Sequence, residues 1–389
     1  MSSLAGMTFS LIASVWLWTS VHSAVLSALV FGGQWVGAAV FPSGTARVIR
    51  RLTASRIAPV TEWCGAALVA TAAGFIAAQL WMPLVCVVLI KGYVDSVGRT
   101  ANTLVARERA DGPGAIEHEV SRMEFFRLVG STSAGTAFAV TGQYVDPVMF
   151  AMLCAAGHGF AGLGLRWHGT QGGSARTERG TAAEQPGVRQ LRRMTSIQRG
   201  ALLQLSLIAA YQGLHNSIRT VYPIQQLHQG TAGVGIVSAV ATAGVFAGGW
   251  ISSRKAVLPW AIRYASPAGL CATALLAIAA VACTAALPSY ALYFLFLAAF
   301  EAAFMGCNAR YVASLDDATS VLFVGIRSTA LSLSALAGLL AASALLALLP
   351  PSAAVAATAS ALAAASLLYA VATIKKERRA PNADVRLPG

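Results

Sequence analysis

The sequence predicts an all-α polytopic membrane protein with twelve transmembrane helices in two pseudo-symmetric halves of six. Three observations carry this. The chain has 389 residues, 56% of them hydrophobic and only 11% charged, with a mean hydropathy of +0.64. A soluble domain carries about 25% charged residues, so this chain cannot cover a soluble surface. Second, its apolar residues fall into runs long enough to span a bilayer, which takes roughly 20 residues each. Third, Lys and Arg concentrate in every second connection, the pattern that basic loops held on the cytoplasmic side produce.

The runs are 5–21, 24–42, 58–80, 82–106, 122–142, 145–165, 199–219, 231–252, 260–284, 289–312, 321–348 and 352–373. The first lacks a basic leader and reads as a membrane helix, not a cleaved signal. Prolines stand near many junctions, among them Pro42, Pro83, Pro147, Pro223, Pro259, Pro288 and Pro350-Pro351. Arg47, Arg50, Arg51 and Arg56 follow run 2, Arg107 and Arg109 follow run 4, and Arg254 and Lys255 follow run 8. Both termini and the central segment are therefore expected in the cytoplasm, which agrees with an even helix number. The same rule accounts for the net charge of +13, so no nucleic-acid partner is expected.

Segment 166–198 is the one long polar stretch inside the chain, rich in Gly, Ser, Thr, Arg and Glu. It reads as a tether between an N-terminal half, 1–165, and a C-terminal half, 199–373, with a polar tail at 374–389.

Catalysis and cofactors find no support. The six cysteines sit singly within apolar runs as packing residues. The six histidines make no HExxH, and no Walker A, GxSxG or dinucleotide fingerprint occurs in context. No metal and no enzyme activity are implied, and a monomer is expected.

The most informative stretch is Leu89 to Asp111. Lys91, Asp95 and Arg99 are spaced by four, which aligns them on one helix face. Charge facing lipid costs at least about 2.5 kcal/mol, so that face must look into protein or water. Leu295 to Asp317 repeats the layout: Glu301 falls on Asp95, Asn308 on Asn102 and Asp317 on Asp111. Asp95 and Glu301 are the candidate proton carriers, since a buried carboxylate takes up a proton more readily than an exposed one. The alternative is plain neutralisation, of Asp95 by Lys91 or Arg99. His215 is a third candidate, as a relay or as a hydrogen-bonded packing residue.

The candidate cavity residues are Gln34, Arg99, Asn102, Tyr211, Gln212, Asn216, Arg219, Asn308, Arg310 and Arg327. Arg99, Arg310 and Arg327 either reach the headgroups or face the cavity. In the cavity they would favour a carboxylate-bearing substrate, because guanidinium binds carboxylate bidentately. Gly33/Gly37 and Gly244/Gly248 are small-xxx-small pairs that predict close helix packing.

Twelve helices, a central loop and two similar halves resemble the major facilitator superfamily. The segment Gly44, Arg47, Arg50 and Arg51 is similar to that family's cytoplasmic loop between helices 2 and 3, without its aspartate and two residues short. GGWISSRK at Gly248–Lys255 stands where the second half would repeat it. Run 1–2 TSVHSA and run 7 LHNSIRTVYP resemble drug and siderophore exporter branches. The resemblance implies a bacterial inner-membrane transporter that exports a small organic molecule against protons. A siderophore or similar carboxylated metabolite is the expected substrate. A multidrug pump is the alternative within transport, and a membrane sensor or scaffold the alternative outside it.

Overall fold

In the computed structural model the described residues are 2–40, 54–108, 113–142, 144–169, 194–252, 267–313 and 320–379. They form twelve α-helices: α1 Ser2–Val21, α2 Ala24–Val40, α3 Ala54–Ala77, α4 Trp81–Glu108, α5 Pro113–Thr141, α6 Pro147–Gly169, α7 Ser196–Gln225, α8 Gly230–Ser252, α9 Pro267–Ala282, α10 Ala286–Ala313, α11 Ser320–Leu346 and α12 Pro351–Arg379. Eight of them are long and apolar enough to cross a membrane. The loop motif at Gly44, Arg47, Arg50 and Arg51 lies outside the described residues, as does most of the tether.

Local chemistry explains several ends. Proline opens α5, α6, α9 and α12, where its missing N–H is one of the helix's unpaired donors anyway. α7 begins with a capping box: the Gln198 amide donates to Thr195 Oγ1 at 3.2 Å, and the Thr195 amide donates to Gln198 Oε1 at 2.9 Å. The run expected at 122–142 starts earlier, at Pro113, and the one expected at 199–219 extends to Gln225. In both, polar residues prolong the helix beyond its apolar span.

The packing repeats under a shift of six helices. α3 packs on α4 and α6, and α9 on α10 and α12. α1 packs on α5 and α6, and α7 on α11 and α12. α2 packs on α4, and α8 on α10. The backbone repeats too. His22 after α1 and His228 after α7 both turn the chain at φ 55°, a left-handed conformation uncommon in non-glycine residues. Their separation is the one that superposed Asp95 on Glu301.

Helix association in a bilayer rests on close packing, since lipid is as apolar as a leucine side chain. The paired glycines serve this. A Cβ on Gly37 would stand 2.8 Å from Tyr93 Cα of α4, and one on Gly244 would stand 2.5 Å from the Phe294 carbonyl of α10. Buried side chains divide into two clusters. One holds Phe9, Leu11, Trp16, Val69, Leu84 and Cys154, joined by Val234 of α8. The other draws entirely on residues from Met194 onward, with Tyr211, Tyr222, Tyr293 and Tyr311 at its centre.

The helices of the first cluster meet those of the second at particular places. Ser14 Oγ of α1 lies 2.7 Å from Thr220 Oγ1 of α7. The Arg219 guanidinium of α7 lies over the Phe31 ring of α2, 4.7 Å from its centroid. A Cβ on Gly135 of α5 would stand 2.6 Å from the Ala239 amide nitrogen of α8, and Gly235 of α8 is pressed likewise onto Ala139 of α5. Gly32 of α2 meets Leu339 of α11. Ser14, Thr220, Arg219, Gly135, Ala139, Gly235, Ala239 and Leu339 sit in the part of their helix nearest the short connections joining α1–α2, α5–α6, α7–α8 and α11–α12, and Phe31 and Gly32 lie at the middle of α2.

Candidate functional site

Two polar groupings stand out, one in each core. α7 carries the first. His215 is buried and its Nδ1 lies 2.7 Å from the Tyr293 hydroxyl of α10. Tyr293 stacks on Tyr222 at 6.0 Å between centroids and meets Phe296 edge-on at 5.7 Å. Four residues after His215, Arg219 is 5% exposed. Its Nε donates to Ser238 Oγ of α8 at 2.8 Å, while its Nη2 is buried with no hydrogen-bond partner. A desolvated guanidinium with an unused donor is costly, and an anionic group would satisfy it bidentately.

Sequence reasoning placed several other α7 residues at the cavity. Tyr211 takes a core position instead. It is fully buried, and its hydroxyl lies 3.3 Å from both the Leu270 carbonyl of α9 and the Ala359 carbonyl of α12. That geometry ties three helices together and leaves no group for a ligand. Asn216 is buried and Gln212 half-buried. Gln204 accepts from Cys307 Sγ at 3.7 Å.

On α10 and α11, Arg327 Nη1 donates to Asn308 Oδ1, which ties α11 to α10. Its Nε is buried without a partner. Glu301 is half-buried and lies against α8, its Cγ 3.6 Å from where a Gly249 Cβ would stand. The Arg310 and Gln34 side chains lie outside the described residues, though their backbones are in α10 and α2.

The second grouping is in the N-terminal core. Lys91 Nζ is paired with Asp95 Oδ2 at 2.7 Å, with side-chain exposures of 5% and 38%. Lys91 is thus placed against Asp95, as one of the two readings of that carboxylate expects. Arg99 and Asn102 follow on α4, both half-buried.

Sequence reasoning passed over the neighbours of this pair. Glu62 of α3 accepts from His158 Nδ1 of α6 at 2.8 Å and from Ser2 Oγ of α1 at 2.7 Å. The signal was available: Glu62 and His158 are ionisable residues inside apolar runs, a functional-site hypothesis by default. Ser14, Ser27 and Thr220 were also missed, since hydroxyls in a membrane helix are common and carry no charge. Among the described residues no group of three His, Cys, Asp or Glu is placed to hold a metal.

No family model matches the chain, and none of the curated proteins matches it. Solved structures do. It is similar to the nucleoside transporter NupG, at 12% identity over 96% of this chain and 97% of that one, with a TM-score of 0.63. It is similar to a bacterial homologue of the human lysosomal transporter Spinster in an inward-facing and occupied conformation, at 13% identity over 95% and 93%, TM-score 0.62. It is also similar to a bacterial homologue of the iron transporter ferroportin in an inward-facing state, at 13% identity over 96% and 95%, TM-score 0.68. At such identity the likeness is one of fold: the chain folds as these membrane transporters do.

Proposed function

We propose that the chain is a proton-coupled secondary transporter that exports a small carboxylated organic molecule, a siderophore being the preferred substrate. Its halves, 1–165 and 199–373, rock about the contacts between them, and the tether at 166–198 and tail at 374–389 lie on the cytoplasmic side of a bacterial inner membrane. The observation that carries this reading is the placement of the contacts between the two cores. Ser14–Thr220 and Gly135–Ala239 gather toward the short connections, and Arg219 meets Phe31 at the middle of α2. Helices joined at one end by such contacts and free to separate at the other are the means of alternating access around a central site. In this reading the site is open toward the basic connections. Arg219 forms its roof, and its unpartnered Nη2 receives the substrate's carboxylate.

The test is substrate-dependent collapse of an imposed pH gradient in inverted vesicles holding the full chain. Iron-free siderophores are added in one arm and cationic dyes in the other. A siderophore response that Arg219→Gln abolishes supports the reading. A response to dyes alone moves the substrate class to amphipathic cations. Silence toward every solute, from protein shown to be folded, counts against export.

A further inference from the structure

Among the described residues, Glu62 of α3, His158 of α6 and Lys91 and Asp95 of α4 lie near the start of α1. His158 Nδ1 lies 2.8 Å from Glu62 Oε2, and the other Glu62 oxygen accepts from Ser2. A carboxylate at Nδ1 accepts a hydrogen bond from that nitrogen and holds the ring as the Nδ1–H tautomer, so the lone pair is left on Nε2. That Nε2 is buried and has no hydrogen-bond partner. It lies beside Gly6 of α1, as does Lys91: a Cβ on Gly6 would stand 3.7 Å from both His158 Nε2 and Lys91 Nζ. The glycine makes room for a basic nitrogen and an ammonium beside it. Lys91 is held from behind by Asp95 at 2.7 Å and lies over the Phe9 ring at 5.9 Å.

Three of these four ionisable residues have no charged counterpart in the second core. The separation that sets Ser14 against Thr220 also puts Ala268 at the place of Glu62, Leu297 at that of Lys91 and Ala364 at that of His158. Leu297 is buried in the second core, whereas Ala268 and Ala364 lie on exposed faces of α9 and α12, so the polar cluster belongs to the first core alone.

We propose that His158, oriented by Glu62, is a proton-binding site linked through Lys91 to Asp95. Uptake forms an Nε2–H bond as an O–H bond of hydronium breaks and releases water. The imidazolium so formed is balanced by Glu62 and lies beside Gly6, as the Lys91 ammonium does. Repulsion there presses Lys91 toward Asp95, the most exposed member of the network. α4 packs on α2, which carries Phe31 to the crossing with Arg219, so proton occupancy biases the contact between the two cores. On the faces turned to His158, α1 offers Ser2 and no described titratable group, α3 offers Glu62, α4 offers Lys91 and Asp95, and α6 itself offers Cys154 one turn away. Arg166, two turns on, stacks over Trp63 at 5.8 Å.

This deepens the transport reading and rests on it for its purpose, but its test uses no substrate. The full chain, labelled with ¹⁵N-histidine in liposomes, is followed by solid-state NMR between about pH 5 and 8. The expected result is one ring that is Nδ1–H with a bare Nε2 at the alkaline end and gains Nε2–H as pH falls. Its signal vanishes in His158→Gln. In Glu62→Gln, which keeps the ring and serves if His158→Gln does not fold, the tautomer preference is lost. In Lys91→Met the protonated fraction at mid-range pH rises at least threefold. A His158 ring that holds one state throughout, or that titrates identically in Lys91→Met, overturns the proposal. A titrating His158 in a chain that moves no solute would retain the proton site and remove the transporter reading; a working transporter with an inert His158 would do the reverse.

Discussion

Ser14 and Thr220 stand 206 residues apart in the chain with their hydroxyl oxygens 2.7 Å apart. The same separation relates Asp95 to Glu301 and His22 to His228, so the two residues occupy corresponding places on α1 and α7 and touch each other. Corresponding residues meet in this way only near an axis that exchanges the two sets of helices. Ser27 joins them at 2.7 Å from Ser14. A cysteine pair at 14 and 220 is predicted to form a disulfide under mild oxidation and to hold the crossing shut. Solute movement in liposomes should fall at least tenfold on oxidation and return on reduction, and full cross-linking with unchanged movement would remove this contact from the transport cycle.

The glycines at the crossing make a second prediction. Gly135→Ala forces a methyl against the α8 backbone and should destabilise the closed arrangement by about 1–3 kcal/mol. At Gly74 of α3 an added Cβ would meet nothing within 4 Å, so Gly74→Ala should gain roughly 0.5–1 kcal/mol from helix propensity. Thermal midpoints of the two variants in detergent should move in opposite directions.

Much of the architecture is legible in the sequence. Apolar runs coincide with helices because a backbone in lipid must satisfy its own hydrogen bonds, and the four-residue spacing of Lys91 and Asp95 predicts a pair that the helix delivers. What escapes has physical causes. Glu62 and His158 are 96 residues apart and sit on α3 and α6, and no local spacing announces a pair brought together by packing. Tyr211 reads as a cavity residue from its polarity, but its hydroxyl partners are backbone carbonyls of α9 and α12, which have no sequence signature. The loop at Arg47–Arg51 is legible only as charge and lies outside the described residues.

The Lys91–Asp95 pair is asymmetric. Asp95→Asn strands an ammonium that is 5% exposed, and should cost about 3 kcal/mol. Lys91→Met leaves a carboxylate that is 38% exposed and should cost about 1 kcal/mol or less. The double variant should recover most of the loss, which a double-mutant cycle on denaturation midpoints will read.

Tyr211 and Arg219 separate packing from binding on one helix. Tyr211→Phe should cost about 1 kcal/mol of stability and leave half-saturation for any solute unchanged. Arg219→Gln should raise half-saturation for an anionic solute at least tenfold, about 1.4 kcal/mol, with cations unaffected.

The central claim is that the two cores change their separation. Tyr144 and Leu348 are 79% and 80% exposed in connections at the contacting end, so spin labels there will not disturb packing. Electron–electron double resonance in liposomes is predicted to give two distances, a shorter one from the arrangement described above and a longer one whose share changes with pH. A single narrow distance, unmoved by pH or by any solute tried, would contradict the account.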